Sequence, residues 1–289
     1  MEKHGRAVLL YLLNGAVTGV IKYTLPNWTG VLYKIPRTDL ETCKKRADLQ
    51  QSGVYFLFGK SDENNENVVY VGQAGVRKNG NGLLGRILEH ARNPEKDYWT
   101  EAVAITTTNN SFGPTEISYL ENQFTQLAAS AKRYTVKNGN DPNPGNITEE
   151  KESELQEFID HAKIIMGIAG HKIFIPYNED AQDKSRSRES RFFLKKRGAD
   201  AEGFLTSDGF LLCKGSKLNS NSTPSCPDWV RKMRQEYSGK ISEDGTLMDD
   251  IVFNSPSAAA GFCVFGAENG RTAWKNKWKK TLRELDGEI

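Results

Sequence analysis

The sequence is short of the residues that hold metals and close disulfides, with four cysteines and four histidines in 289 positions. Cys43, Cys213, Cys226 and Cys263 stand far apart with no CxxC pair, and His4, His90, His161 and His171 are equally scattered. That spacing argues against a zinc site and for reduced thiols in the cytoplasm. An excess of one charge is also missing. Lys and Arg number 39 against 37 Asp and Glu, a net charge of +2. Affinity for nucleic acid must then come from local basic patches. No apolar run is long enough to span a bilayer, so no membrane partner is expected. Residues 7–13, AVLLYLL, follow Lys3 and Arg6 and loosely mimic a secretory signal, but Asn14-Gly15 ends the run after seven residues. Asn-Gly accepts positive φ at both positions and favours a two-residue hairpin turn, here between strands at 6–13 and 16–23.

What is present is ordinary globular material, 37% hydrophobic and 26% charged, at a length that suits about two domains. The pattern predicts an α+β chain. A hairpin and extension occupy 1–50, with a short helix near 39–50. A first domain, 51–178, has strands at 53–58, 68–72 and 99–107 and helices at 83–92, 115–131 and 149–166, with a further strand at 171–176. Residues 179–200 are polar and strongly basic (Lys184, Arg186, Arg188, Arg191, Lys195, Lys196, Arg197) and predict a linker. A second small α+β domain covers 201–289. Ser207-Asp208-Gly209 turns a hairpin there, a helix from Pro227 has Trp229, Val230, Met233 and Tyr237 as its apolar face, and Ser255-Pro256 starts another helix.

Hydrolysing a phosphodiester needs a base for water, a cation at the non-bridging oxygens and support for the leaving oxygen. The first domain offers such groups. Tyr55 and Tyr70 sit on adjacent strands, Arg86 and His90 are four apart on one helix, and Glu121 lies at the edge of the next helix's buried face. Taken singly, each has a plainer use: tyrosines pack sheets, and Arg86 or His90 suits a solvated helix surface. Glu116, in a first helical turn, is expected to be structural for dipole reasons.

The order of these groups changes the reading. Gly53-Val54-Tyr55 and Tyr70-Val71-Gly72, then Leu84-Gly85-Arg86 with His90, then Tyr119-Leu120-Glu121, resemble the ordered motifs of the GIY-YIG nucleases. The resemblance covers 53 to about 133 and departs from the family in two ways: valine stands for isoleucine in both tripeptides, and residues 61–67 lengthen the hairpin loop. Trp28-Thr29-Gly30, Pro36-Arg37 and the helix after the Asn/Pro loop are similar to a bacterial subgroup of that family. The tail, with residues 253–260 (FNSPSAAA), Asn269-Gly270 and Trp274, looks like a C-terminal domain of unknown function attached to such proteins.

The resemblance implies a metal-dependent DNA endonuclease. Glu121 would hold one Mg2+ (or Mn2+), and Arg86 would bind the scissile phosphate. Tyr55 would act as base with a water, Tyr70 would share its hydrogen-bond network, and His90 would orient or relay a proton. Positive charge from Arg86 or the metal would favour tyrosinate. A supporting asparagine is expected at Asn140, with Asn138 equally near the place. The second domain carries no catalytic set. Arg231, Lys232 and Arg234 on its first helix, and Lys275 and Lys279 on an expected C-terminal basic helix with Trp274 and Trp278, suit DNA phosphates. Docking of those tryptophans into the domain is an equal reading. A homodimer or protein partner through this domain is the other use for it. A nuclease-like binding or regulatory module with little catalysis is the alternative to the enzyme.

Overall fold

The computed structural model describes residues 5–63, 66–76, 82–139, 142–176 and 191–286. The chain divides into two compact units, Met1–Pro176 and Tyr177–Ile289, and both are α+β.

The first unit is built on one sheet. Its strands are β1 (Leu9–Leu12), β2 (Ile21–Thr24), β3 (Gly30–Pro36), β4 (Gly53–Lys60), β5 (Asn67–Ala74), β6 (Trp99–Thr107) and β7 (Thr135–Val136), in the order β1-β2-β3-β6-β4-β5-β7. Every pairing is antiparallel except β5 with β7. The helices are α1 (Leu83–Ala91), α2 (Pro114–Ala131) and α3 (Glu149–Ile168). Strand side chains alternate between faces, and β4 is covered on both. Val54, Phe56 and Phe58 join Phe124, Phe158 and Ile159 from α2 and α3, whereas Tyr55 and Leu57 join Leu83, Leu84 and Ile87 from α1. This sandwiching of one central strand sends Tyr55 toward α1.

Residues 1–50 are not a separate extension. β3 pairs with β6 along its whole length, Leu32 opposite Ile105, and β2 adds to it. Trp28 packs on Phe158 of α3 with ring centroids 4.9 Å apart. A Cβ on Gly30 would lie 2.1 Å from the Trp28 ring, so only glycine leaves room for that indole. The Arg37 guanidinium lies 4.8 Å from the Trp99 ring and donates to the carbonyls of Ala91, Asp97 and Trp99, tying the end of α1 to β6.

Three expectations for this unit are corrected. The first hairpin exists, but Leu12 pairs with Ile21, so its loop runs through 13–20 instead of turning at Asn14-Gly15 alone. Residues near 39–50 form two short 3-10 stretches, Arg37–Cys43 and Asp48–Gln50, in place of an α-helix. Residues 171–176 are not a strand. His171 instead stacks on Phe58 at 3.6 Å and bonds the Glu101 carboxylate at 2.6 Å through Nε2, so side chains anchor the segment. The lengthened β4–β5 loop leaves the ladder intact, with Lys60 opposite Asn67 and Tyr55 opposite Gly72. Glu116 does act structurally: its carboxylate accepts from the backbone N–H of Gly113 at the start of α2.

The second unit holds β8 (Arg191–Lys196), β9 (Ala199–Thr206), β10 (Gly209–Leu212), β11 (Ile251–Phe253) and β12 (Lys275–Asn276), in the antiparallel order β11-β10-β9-β8-β12. Its helices are α4 (Asp228–Glu236), α5 (Pro256–Val264), α6 (Gly270–Ala273) and α7 (Leu282–Asp286). The expected linker 179–200 overlaps this sheet. Phe192 and Leu194 are buried core residues, and Arg197-Gly198, both with positive φ, turn β8 into β9. Lys184, Arg186 and Arg188 lie outside the described residues. The expected basic C-terminal helix is instead β12 and a tight loop, in which the Asn276 side chain accepts from the backbone N–H groups of Trp278 and Lys280. Trp274 is fully buried, whereas Trp278 is 55% exposed. On α4 and its C-terminal cap Tyr237, Val230 is buried, Met233 and Tyr237 are half-buried against the core, and Trp229 is 47% exposed. Among the described residues no helix is long and apolar enough to cross a membrane.

The marks around Pro256 form one lock. Ser255 caps α5 by accepting from Ala258 N–H, Ser257 Oγ accepts from Gly270 N–H, and Trp274 Nε1 donates to Pro256 O at 2.9 Å. A Cβ on Gly270 would lie 2.2 Å from the Pro256 carbonyl. Trp274→Ala removes a buried indole and its hydrogen bond, so it is expected to cost about 3–5 kcal/mol. Urea unfolding followed within the second unit measures this. A loss under about 1 kcal/mol, below the range for such truncations, would deny the lock its role.

Candidate functional site

The β4–β5 hairpin sets the two tyrosines. Tyr55 faces Gly72 across the ladder and Tyr70 faces Leu57, so the two lie diagonally on one face with ring centroids 6.2 Å apart. Gly72 is required by that approach, since a Cβ there would sit 2.4 Å from the Tyr55 hydroxyl. α1 then lays His90 beside both rings, at 5.5 Å from Tyr55 and 5.2 Å from Tyr70. The Tyr55 hydroxyl and His90 Nε2 are hydrogen-bonded at 2.7 Å. Arg86, one turn earlier, pairs with Glu89 at 2.8 Å and imposes its positive field on Tyr55, Tyr70 and Glu121.

Glu121 reaches the site along an open edge. β7 covers only the first part of β5, pairing at Val68 and Val69. Beyond it, side chains replace the missing strand. The Asn138 carboxamide accepts from Val71 N–H at 3.0 Å and donates to Val71 O at 2.8 Å. Further on, the Glu121 carboxylate faces the side-chain amide and backbone N–H of Gln73, and Gln73 also bonds the Ser118 hydroxyl. Asn138 therefore has a defined structural task beside Tyr70, and Asn140 lies outside the described residues.

The electrostatics follow from burial. Tyr55 is 1% exposed, and its pKa is pushed far above the ordinary value. Desolvation is the largest cause, with Tyr70 and Glu121 adding to it and Arg86 opposing. The expected tyrosinate is thus not favoured by the protein alone, because one partly exposed arginine does not offset the loss of water. His90 is pushed down to about 4, by burial first and then by Lys96 and Arg86. It is neutral at pH 7. With the hydrogen on Nδ1, its Nε2 accepts the Tyr55 hydroxyl proton's bond, which leaves the phenol oxygen's lone pairs for a water. Burial also raises the Glu121 carboxyl, with Gln73 and Arg86 opposing.

Lys96 is a site cation that the sequence did not disclose. The 3-10 turn Pro94–Lys96 brings its Nζ to 3.8 Å from the Tyr70 ring centroid. Its pKa is lowered by burial and then by Arg86.

His90 predicts an acid sensitivity. Its folded pKa lies below its ordinary 6.5, so between about pH 6.5 and about 4 the unfolded chain takes up a proton that the folded chain refuses. That contribution is complete above pH 6.5 and is lost as pH falls toward 4. The melting temperature of His90→Gln should therefore drop less from pH 7 to about 4.5 than that of the wild type. Equal drops would mean that His90 is not held neutral.

Among the described residues no group of three or more His, Cys, Asp and Glu side chains could hold a metal ion. Glu121 is the carboxylate facing the tyrosines. A half-buried carboxylate with a raised pKa gains from a nearby cation, and magnesium suits a single protein carboxylate because it keeps waters and takes substrate phosphate oxygens. Such an ion would take one protein carboxylate here, from Glu121.

The basic residues of the second unit divide. Arg231, Lys232, Lys275 and Lys279 are exposed. Arg234 is half-buried and only partly open to solvent: it donates through Nε to Phe262 O at 2.8 Å and through Nη2 to Asn219 O at 2.7 Å, so most of its guanidinium serves the fold. The spacing itself carried this signal, since 234 is four residues after buried Val230 and so shares its side of the helix.

Residues 192–286 match a family described as a domain of unknown function, DUF4357, a span that opens within β8 and closes within α7. No curated protein and no solved structure matches the chain.

Proposed function

We propose that the chain is a metal-dependent endonuclease that hydrolyses DNA phosphodiester bonds, with a C-terminal unit that adds DNA or partner contacts. The observation that carries this reading is the convergence of Tyr55, Tyr70, Arg86, His90 and Glu121, from two strands and two helices, around one hydrogen-bonded Tyr55–His90 pair. A sheet-packing tyrosine needs neither a neutral histidine on its hydroxyl nor a carboxylate and a guanidinium in range.

In this reading Arg86 binds the scissile phosphate and stabilises its added charge. Tyr55 orients the attacking water and takes up its proton on the phenol oxygen as its own hydroxyl proton passes to Nε2 of neutral His90, so no free tyrosinate forms. Tyr70, with Lys96 over its ring, closes the other side. A magnesium ion held by Glu121 would supply charge stabilisation at the phosphate and the leaving oxygen. Such a single site cuts one strand per encounter. The test is plasmid nicking with and without Mg2+, where conversion of supercoiled to open-circular DNA is expected only with the metal. Absence of nicking in Mg2+ and in Mn2+ would favour a nuclease-like binding module.

The exposed Arg231, Lys232, Lys275 and Lys279 give the second unit a part in affinity. Each phosphate contact adds about 0.9 to the salt slope of duplex binding. A chain ending at Asp183 should still nick at low salt, yet bind duplex more weakly and with a shallower slope. Identical slopes would move the second unit to dimerisation or a protein partner.

A further inference from the structure

The second unit has an open groove of about 430 Å³ lined by Arg231, Arg234, Gln235, Ser238, Ile241 and Phe265. Arg234 fixes its character. Its guanidinium lies 4.8 Å from the ring centroids of both Phe262 and Phe265. Nε donates to Phe262 O, and Nη2 to Asn219 O and Cys263 O, so it also satisfies carbonyls at the end of α5. Those bonds explain three of its five N–H groups. The two on Nη1 have no acceptor among the described residues. Among the described residues no acid compensates the charge either: burial lowers its pKa, and the other groups acting on it are Cys263 and Cys226. Arg231, one turn earlier, makes among the described residues a single 3.4 Å bond, to Ser222 Oγ. Two guanidiniums thus line one concavity with no carboxylate paired to either among the described residues.

We propose that this groove binds a phosphate joined to a flat ring, the chemistry shared by a free nucleotide and by single-stranded nucleic acid. A carboxylate is best held by the two-nitrogen fork of one guanidinium, and Arg234 has spent that fork on backbone carbonyls. It offers Nη1 end-on, and Arg231 offers a second, separate donor. Donors from two directions suit the separate oxygens of a tetrahedral phosphate. The groove is far larger than a phosphate needs and falls in the range of small-molecule sites. Phe265 and Ile241 supply apolar surface for a ring, and Gln235 supplies an amide for its edge. This deepens the nucleic-acid part of the proposed function, but does not depend on cleavage.

The test measures binding to the full chain in EDTA, so that no strand is cut. The probes are a fluorescein-labelled single-stranded 12-mer, a mononucleotide and inorganic phosphate. Arg234→Ala would strip the end of α5 and could unfold the unit, so the informative variants are Arg231→Ala and Ser238→Glu, both at exposed positions. Each should weaken mononucleotide or 12-mer binding tenfold or more with an unchanged melting temperature. Binding of the mononucleotide alone names the free nucleotide as the source, and binding of the 12-mer alone names the strand. Wild-type affinity in both variants overturns the site, as does failure of both nucleotide probes to bind. Inorganic phosphate competing as well as the mononucleotide overturns the ring. Because nicking is not read, a failure here is distinct from a failure of the nuclease reading.

Discussion

Glu121→Gln is expected to abolish magnesium-dependent nicking while raising the melting temperature at pH 7. The wild-type carboxyl has a raised pKa through burial, so the folded state loses stability as pH rises through that value. Glutamine keeps the shape, can still meet the Gln73 amide, and carries no charge to desolvate. A second measurement isolates the metal. Mg2+ should raise the melting temperature of the wild type, because a ligand that binds only the folded chain stabilises it, and should leave the variant unmoved. DNA binding without metal should be nearly equal in both. Full nicking by the variant would end the assignment of the ion to Glu121.

Arg86→Ala should lower the single-turnover rate by ~10²–10³, the usual loss when one preorganised charge-stabilising donor is removed. Arg86 acts on Tyr55, Tyr70 and Glu121 at once, and its own partner Glu89 is on the exposed side of α1. Lys96 does not replace it, because its ammonium is placed over the Tyr70 ring. His90→Ala should be milder if His90 only orients Tyr55. An equal loss at both positions, with a shifted pH profile for His90→Ala, would make His90 the base.

Much of the first unit was legible because its strands are short, apolar and punctuated. β6 was expected at 99–107 and is found there, and the start of α3 followed from Thr148 and the acidic turn behind it. The five candidate residues stood out in the sequence only as an ordered set of motifs, and the structure places them on two adjacent strands and two helices. Lys96 was not, because a 3-10 turn, not a helical repeat, carries it back to Tyr70. The edge of β5 was not legible either. Nothing in the sequence says that Asn138 and Glu121 will take the place of a strand. In the second unit, lysines and arginines hid β8: Phe192 and Leu194 alternate as a strand should, but Arg191, Lys195 and Lys196 around them read as linker. The run after Trp274 failed as a helix because buried Asn276 bonds nearby backbone N–H groups and turns the chain.

The loop between β4 and β5 sits at the opposite end of the hairpin from Gly53 and Ala74, five ladder positions from Tyr55. At the rise of a strand that is roughly 17 Å. Loop closure costs little more as such a loop grows. A dye, an affinity tag or a tethering cysteine could therefore be grafted between Ser61 and Glu66 without moving either tyrosine. That position offers a handle for watching a single molecule engage a ligand with the tyrosine cluster left untouched.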